Sequence, residues 1–368
     1  MNELSGTVVT PTLSYPGRVR WDTHIEAVEA ALGQPGGYIL PGFIDLHVHG
    51  GGGADCMEGA EATRQMARFH AQHGTVALLA TTVTAPLGDL EAALAGINQV
   101  IQNPGPGEAR VLGVHLEGPF INSSRLGAQP PYTIPPDLGI MRHLMSLAPI
   151  QVVTLAPELP GALALIRFLS EAGIRVQMGH TGANYAQARA GFEAGAQGFT
   201  HFFNAMTGLH HREPGVVGLG LEKASFAEVV ADGLHVHPAA VRAIWKAIPQ
   251  LYAVTDAVEA AGMTEGKYRL GRHSVYKKAE GVFLEDGTLA GSSLTLDQAV
   301  RNLTDWGLSL GEAVEMTSGR PARYLGLENL GSLEAGMAAD IVVLNEHLEV
   351  EQVYLGGQAL SSSEEFGA

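Results

Sequence analysis

Short apolar runs alternate with longer segments of helical periodicity through the middle of this chain. Runs rich in Val, Ile, Leu and Phe are typical of buried strands, and the Ala-rich segments between them space their apolar residues three and four apart, as helices do. The predicted strands are 44–49, 75–83, 111–118, 151–158, 175–180, 198–203, 227–233 and 251–257. The predicted helices include 59–73, 86–102, 160–172, 185–194 and 237–247.

This order of elements predicts an α/β fold, a (β/α)₈ barrel of the TIM type, with a doubly wound parallel sheet as the alternative. The chain ends differ, because 1–42 and 330–368 consist of short strand-like pieces separated by Gly and Pro. We expect the two ends to pair into a small β-sandwich domain, which leaves 43–329 as the barrel. Alternating polarity with Gly turns over 264–290 predicts a β-hairpin inserted after the eighth strand.

Composition narrows the class of protein. The chain has 368 residues, of which 46% are hydrophobic and 16% charged, and this is typical of a folded globular protein. Its net charge of −16 argues against nucleic acid or an anionic membrane as a partner. A single cysteine, Cys56, excludes an intrachain disulfide and a cysteine-based zinc framework. No leader peptide and no apolar stretch of about 18 residues is visible, so we expect a cytoplasmic protein.

Histidine and carboxylate side chains follow the ends of the predicted strands, where the active residues of a barrel collect. Period-2 alternation places Asp45, His47 and His49 on one face of the first strand. Two imidazoles on one face, two residues apart, can converge on a single ion. The later strand ends carry Glu117, His180, His201, His235 and Asp256.

Imidazole and carboxylate groups are ligands for zinc, iron, manganese and cobalt. His47, His49, His180 and His201, with Glu117 and Asp256 at successive strand ends, therefore predict a divalent metal site with one or two ions per chain. All five lysines lie at Lys223 or later, which excludes a bridging carbamylated lysine from a middle strand. Glu117 is then the carboxylate available to bind or bridge metal. Asp45 either holds a ligand imidazole in its tautomer or caps the barrel floor.

Two further positions suggest how a substrate is handled. Asp256 suits a general base that takes a proton from water and returns it to a leaving group. On so acidic a chain, the His-His-Arg cluster that ends at Arg212, just past His201, indicates a phosphate site, and an ordinary surface arginine is the alternative.

Motifs in the same order as these residues resemble the N-acetylglucosamine-6-phosphate deacetylases, a family of the amidohydrolase superfamily. The resemblance runs from about residue 40 to residue 345 and ends in GSLEAGMAADIVVL. HLEGPF together with FNAM and DGLH is specific to this family. The matching segments are PGFIDLHVHG (41–50), HLEGPF (115–120), GHT (179–181), THFFNAM (200–206), REPG (212–215), ADGLHV (231–236), VTDA (254–257) and LAGS (289–292).

The resemblance implies a role for each matching residue. Glu117, His180 and His201 would hold the main metal, and Asp256 would be the general acid and base. Some members lack the first histidine pair and use one metal, so His47 and His49 allow a second ion in this chain. The resemblance also implies a homodimer. The residues that would contact the sugar phosphate are Asn204, Ala205, Arg212, His235, Leu289, Ala290 and Gly291, and Ala128 and Gln129 are further predicted substrate contacts.

One segment departs from the family pattern. After HLEGPF the family usually carries Lys-Gly-Ala-His, whereas this chain reads Arg125, Leu126, Gly127, Ala128 and Gln129. Gln129 cannot act as a cation or a general acid, although its amide can still donate a hydrogen bond. Polarisation of the acetyl carbonyl and the sugar preference can therefore differ here from the family.

The activity that the resemblance implies is metal-dependent hydrolysis of the acetamide of N-acetylglucosamine 6-phosphate, giving glucosamine 6-phosphate and acetate. Two alternatives remain open. The first is a deacylase for another N-acetylated amine or amino acid, or a cyclic amide hydrolase. The second is a barrel without catalytic activity that serves as a scaffold.

Overall fold

The structure is a computed structural model that describes residues 1–31, 36–279 and 281–361. Parts of the predicted end domain, 32–35 and 362–368, and position 280 of the predicted hairpin lie outside these residues. In chain order the strands are β1 (Asn2–Val9), β2 (Ser14–Trp21), β3 (Ile25–Ala30), β4 (Tyr38–Pro41), β5 (Phe43–Val48), β6 (Gly50–Gly51), β7 (Ala54–Asp55), β8 (Thr75–Thr82), β9 (Arg110–Glu117), β10 (Ile150–Leu155), β11 (Arg175–Met178), β12 (Gly198–Phe199), β13 (Phe226–Val230), β14 (Gln250–Val254), β15 (Gly266–Leu270), β16 (His273–Lys278), β17 (Gly281–Phe283), β18 (Ile341–Leu344), β19 (Val350–Leu355) and β20 (Gln358–Ala359).

Helices separate most of the central strands. They are α1 (Ala60–Gln72), α2 (Leu87–Gln102), α3 (Leu138–Met145), α4 (Ala162–Glu171), α5 (Tyr185–Glu193), α6 (Gly215–Lys223), α7 (Pro238–Ala247), α8 (Leu296–Asp305), α9 (Leu310–Val314) and α10 (Arg320–Leu325), with a 3₁₀ turn at Cys56–Glu58 and a π-helical segment at Glu315–Gly319. Among the described residues, no helix is both long enough and apolar enough to cross a membrane.

Eight parallel strands close into the predicted barrel. One sheet has the order β12-β11-β10-β9-β8-β5, and β13 pairs with β14. The Phe202 amide, which follows β12, donates to the Glu228 carbonyl on β13 (2.9 Å). The Asp256 amide, which follows β14, donates to the His47 carbonyl on β5 (2.9 Å). Both hydrogen bonds join the two sheets, so the barrel prediction is confirmed over a doubly wound sheet.

The sixth strand is shorter than predicted. Pairing ends at Phe199, although the predicted strand continues to Phe203. His201 and Phe203 have φ angles of 27° and 84°, which turn the chain out of extended conformation. The strand therefore gives way to a turn at His201, which is one of the predicted metal ligands.

Strands from both chain ends join one seven-stranded sheet of order β20-β19-β18-β4-β1-β2-β3. The two ends meet where β4 pairs antiparallel with β18, with Ile39 opposite Val343. Val8, Trp21 and Ile341 are buried in the apolar cluster of this sheet. The boundaries of the end domain, 1–42 and 330–368, remain a prediction.

The predicted hairpin is present with one strand more. β15, β16 and β17 form a three-stranded antiparallel sheet after the eighth barrel strand. Leu270, Val275 and Val282 pack from this sheet onto Val83 and Val258 of the barrel. The inserted sheet therefore lies over the end of the barrel where the strands terminate.

A glycine at the entrance to the second barrel strand provides a test of the packing. Gly74, between α1 and β8, has a φ of +84°, and an added Cβ would lie 2.8 Å from Phe43 Cε2. Gly74→Ala should lower the free energy of unfolding by about 1–3 kcal/mol, because it adds backbone strain and a clash. Urea unfolding measures this, and Gly88→Ala in α2, where a Cβ meets open space, is the control. Equal losses in the two variants would contradict this account of the packing.

Candidate active site

Six predicted residues meet at the C-terminal end of the barrel. Two of them lie on strands, His47 on β5 and Glu117 at the end of β9. The other four come just after strands: His49 after β5, His180 after β11, His201 after β12 and Asp256 after β14. Each is at least nine-tenths buried. The six residues are His47, His49, Glu117, His180, His201 and Asp256.

The first cluster is formed by Glu117, His180 and His201. Glu117 Oε1 lies 3.0 Å from His180 Nε2 and 3.0 Å from His201 Nε2, and these two nitrogens are 3.0 Å apart. His180 Nδ1 lies 2.9 Å from the Arg125 carbonyl, which can only accept a hydrogen bond. Neutral His180 therefore carries its lone pair on Nε2, facing Glu117.

The second cluster is formed by His47, His49 and Asp256. The two Nε2 atoms are 3.2 Å apart, and Asp256 Oδ1 lies 3.5 Å from that of His47 and 3.2 Å from that of His49. His49 Nδ1 donates to the Thr81 carbonyl (2.9 Å), so Nε2 faces the cluster and carries the lone pair whenever the ring is neutral. Glu117 Oε2 lies 3.3 Å from His49 Nε2, so one carboxylate contacts both clusters.

This donor set fits a divalent cation. Lone pairs that converge within about 3 Å repel unless a positive charge lies among them. The pKa of His49 shows the same requirement for positive charge. Burial alone would lower this pKa, but hydrogen bonds to Asp256 and Glu117 raise it to about 9. Nitrogen and oxygen ligands in this number suit zinc, iron, manganese or cobalt. Metal binding is therefore consistent with the geometry, which does not select one metal.

The two carboxylates of the site stay ionised. Burial would raise the pKa of Glu117, but the charge on His47 and hydrogen bonds from His180 and His201 hold it well below its usual range. The pKa of Asp256 is also lowered, because the charges on His47 and His49 outweigh its burial. Each carboxylate is therefore available as an anionic ligand at neutral pH.

Asp45 links β5 to the end of β14. Its carboxylate accepts hydrogen bonds from the Thr255 hydroxyl (2.6 Å) and the Thr255 amide (3.2 Å), and from the His47 amide (3.3 Å). The ring of His47 instead donates through Nδ1 to Glu228 Oε2 (3.0 Å). Of the two predicted roles for Asp45, contact with a ligand imidazole ring is not observed, because the partner of the His47 ring is Glu228.

Backbone strain is concentrated at these residues. His180, His201 and Asp256 have φ angles of 46°, 27° and 51°, in a region that residues other than glycine rarely adopt. Such conformations cost about 1–3 kcal/mol each and persist where the surroundings enforce them. Next to Glu117, Gly118 has a φ of +82°, and a Cβ there would lie 2.1 Å from Thr84 Oγ1. The turns that aim the ligands are thus built at a cost in stability.

A cavity of about 370 Å³ opens over the two clusters. It contains most of the predicted substrate contacts. Ala290 instead packs into the apolar cluster under the inserted sheet. Arg212 lies on an exposed loop beyond the cavity lining, where its Nη1 donates to His211 Nε2 (2.7 Å). The predicted contacts that line the cavity are Ala128, Gln129, Asn204, Ala205, His235, Leu289 and Gly291.

Gln129 is engaged at both ends of its amide. Its Nε2 donates to Glu117 Oε2 (2.5 Å), and its Oε1 accepts from the Thr84 amide (2.7 Å). The side chain is buried, so losing either partner would leave an unsatisfied polar group. Gln129 therefore holds the shared carboxylate of the site.

His235 faces the second cluster. Its Nδ1 lies 2.6 Å from Asp232 Oδ2, and its Nε2 lies 3.7 Å from Asp256 Oδ2. Burial alone would lower its pKa, but the hydrogen bond and charge of Asp232 raise it. His235 can therefore present positive charge to the cavity beside Asp256.

Sequence reasoning missed two residues of the site. Arg125 lines the cavity within the segment that departs from the family pattern. Glu228 hydrogen-bonds to one histidine of each cluster, and its signal was a charged residue between Ala227 and Val229 inside the predicted strand 227–233.

An eight-stranded α/β barrel that gathers histidines and carboxylates at its strand ends defines a class of metal-dependent barrel enzymes. The profile described as "Amidohydrolase family" matches residues 38–360. The chain belongs to the amidohydrolase family.

Relatives and solved structures narrow the similarity. The chain is similar to N-acetylgalactosamine-6-phosphate deacetylase of Escherichia coli O157:H7, with 44% identity over 88% of each chain. It is also 40% identical to N-acetylglucosamine-6-phosphate deacetylase of Vibrio furnissii, over 87% of this chain and 82% of that one. Among structures, a mutant of N-acetyl-D-glucosamine-6-phosphate deacetylase from Mycobacterium smegmatis, in complex with N-acetyl-D-glucosamine-6-phosphate, is 35% identical. Its TM-score is 0.91, over 97% of this chain and 98% of that one.

The shared carboxylate provides a test of the metal site. Glu117→Gln should lower metal affinity by more than about 100-fold, because it removes an anionic ligand that contacts both clusters. Elemental analysis and competition with a chelator measure the loss. Glu108→Gln is the control, since Glu108 is also buried but pairs with Arg64 and Arg68 away from the site. A Glu117→Gln protein with wild-type metal content would rule out this ligand set.

Proposed function

We propose that this protein hydrolyses the acetamide of N-acetyl-D-glucosamine 6-phosphate to D-glucosamine 6-phosphate and acetate, as part of amino-sugar breakdown. The observation that carries the proposal is the position of Glu117, which joins two histidine clusters at the floor of a cavity. The walls of that cavity carry residues that match the family motifs for the sugar phosphate. The Mycobacterium smegmatis relative has been solved with the same sugar phosphate bound.

The metal would be held chiefly by Glu117, His180 and His201. A second ion would bind at His47 and His49, where Glu117 Oε2 and Asp256 Oδ1 are also in reach. A divalent ion bound by these residues would supply a water molecule of lowered pKa and a positive charge that polarises the acetyl carbonyl.

Asp256 would carry the proton through the reaction. It is ionised, lies at the cavity wall, and is oriented by His49 and His235. Its carboxylate takes a proton from the attacking water. It then delivers that proton to the amide nitrogen as the carbon–nitrogen bond breaks, so the products are an amine and acetate.

The remaining polar groups would bind the sugar phosphate. Asn204 and His235 line the cavity, and His235 has a raised pKa that favours its cationic form. Arg125 adds a guanidinium to the same wall. Arg212, the remaining family match, lies outside the cavity lining, and its side chain contacts His211. Arginine suits this role because its planar fork matches phosphate oxygens.

A second candidate substrate is N-acetylgalactosamine 6-phosphate. It differs from the first only in the configuration of the C4 hydroxyl, and the Escherichia coli relative at 44% identity is named for it. Gln129 contacts Glu117 where the family usually has a histidine, so the acetyl end of the cavity also differs from the family.

We further infer that the protein acts in the cytoplasm as a homodimer. A single cysteine and an acidic surface are compatible with a reducing compartment. The homodimer rests on the family resemblance, and light scattering measures it directly.

Acetate release from the two sugar phosphates tests the proposed reaction. We expect turnover of N-acetylglucosamine 6-phosphate that a chelator abolishes and added metal restores, because the water must be activated by the ion. Unphosphorylated N-acetylglucosamine is the control and should react at least about 100-fold more slowly, since it lacks the charged contacts.

A higher kcat/KM for the galacto epimer would favour the second candidate and retain the reaction. Turnover of neither sugar phosphate, or turnover that resists the chelator, would contradict the proposal.

Replacement of the proposed proton carrier tests the mechanism. Asp256→Asn should keep the main metal and lose about 10²–10⁴-fold in kcat, because an amide cannot accept the proton of the water. Metal content and kcat are measured on the same sample, with Asp305→Asn, an exposed position at the end of α8, as the control. Substantial activity in Asp256→Asn would remove Asp256 from this role.

A further inference from the structure

A fully buried carboxylate lies beneath the two histidine clusters. Glu228 is on β13, and its side chain is completely inaccessible to solvent. Its Oε2 accepts hydrogen bonds from His47 Nδ1 (3.0 Å) and from the His201 amide (3.2 Å). Its Oε1 accepts one from the Tyr252 hydroxyl (3.3 Å). One carboxylate therefore contacts a histidine from each cluster.

The hydrogen bond to His47 decides which ring nitrogen faces the cavity. An ionised carboxylate can only accept, so neutral His47 carries its proton on Nδ1 and its lone pair on Nε2. That Nε2 lies 3.2 Å from His49 Nε2 and 3.5 Å from Asp256 Oδ1. If Nδ1 had no acceptor, the proton could move to Nε2, and His47 would no longer be a ligand in that tautomer.

The contact with His201 holds a strained turn. His201 has a φ of 27°, and its Nε2 lies 3.0 Å from Glu117 Oε1. The Glu228 side chain accepts from the His201 amide, and the Glu228 carbonyl accepts from the next amide, that of Phe202 (2.9 Å). Glu228 thus anchors the turn that aims His201 at the first cluster.

A layer of buried polar side chains holds Glu228 in place. Each member belongs to a different barrel strand or its end, and each hydrogen-bonds to the next. Because buried polar groups are costly to leave unpaired, Glu228 cannot rotate away without breaking this chain. The links are Tyr252 to Gln177 (2.8 Å), Gln177 to Thr200 (2.9 Å), Thr200 to Thr154 (2.7 Å), Thr154 to His115 (2.7 Å) and His115 to the Leu46 carbonyl (3.0 Å).

We propose that Glu228 is a positioning residue for the metal site, which presents His47 in its ligand tautomer and anchors His201. The inference rests on the metal-dependent function proposed above. Loss of Glu228 should weaken metal binding at both clusters. The loss should be largest at the cluster of His47 and His49, because Glu228 contacts the ring of His47 but only the backbone amide of His201. A carboxylate that only completed the polar layer of the barrel would affect stability without affecting metal affinity.

Metal affinity of Glu228→Gln separates these roles. Stepwise affinities for Zn²⁺ and Co²⁺ are measured by chelator competition, with the absorption spectrum of the Co²⁺ form and the Tm of the metal-free protein. We expect affinity for the weaker ion to fall 10- to 100-fold, as is usual when the partner of a ligand histidine is lost. Glu228→Asp, which keeps the charge, should lose less, and it serves as the test if Glu228→Gln does not fold.

Tyr252→Phe is the matched control. It removes a hydrogen bond to the same carboxylate but leaves the contacts with His47 and His201, so metal affinity should change by less than about threefold. Wild-type affinities for both ions in Glu228→Gln, at whatever Tm, would overturn the inference, as would a wild-type protein that binds one ion only. A wild-type protein that binds no metal would overturn the proposed function as well.

Discussion

The site depends on the burial of one negative charge. Glu117 is removed from water at the barrel end, and a buried carboxylate is stable only when positive charge and hydrogen bonds surround it. The chain supplies imidazoles from two sides and the Gln129 amide from a third. No lysine or arginine among the described residues pairs with Glu117, so the balancing charge must come from protonated histidines or from a bound cation.

The barrel explains how distant parts of the chain meet around this carboxylate. Parallel strands end at the same edge, and β5 closes on β14, so His47 and Asp256 become neighbours across the seam. Left-handed turns at His180 and His201 then redirect side chains that the strands alone would not aim at Glu117. Stability lost in these turns is compensated by the large apolar interior and by buried hydrogen bonds.

Much of this arrangement could be predicted from the sequence. The alternation of strands and helices indicated the barrel, and period 2 in β5 placed His47 and His49 on one face. The role of Glu228 could not be predicted, because it depends on contacts between β13 and residues far away in the chain. The early end of the sixth strand was also missed, since nothing in the segment 198–203 signals a positive φ at His201. Gln129 was recognised as a departure, but its contact with Glu117 required the fold.

The most direct test of this account is anomalous diffraction at the absorption edge of the bound metal, on crystals of the metal-loaded protein. We predict a peak about 2.0–2.2 Å from Glu117 Oε1, His180 Nε2 and His201 Nε2, the usual range for such ligands. No peak among these three atoms, in protein shown by elemental analysis to contain metal, would contradict the claim that Glu117 organises the site.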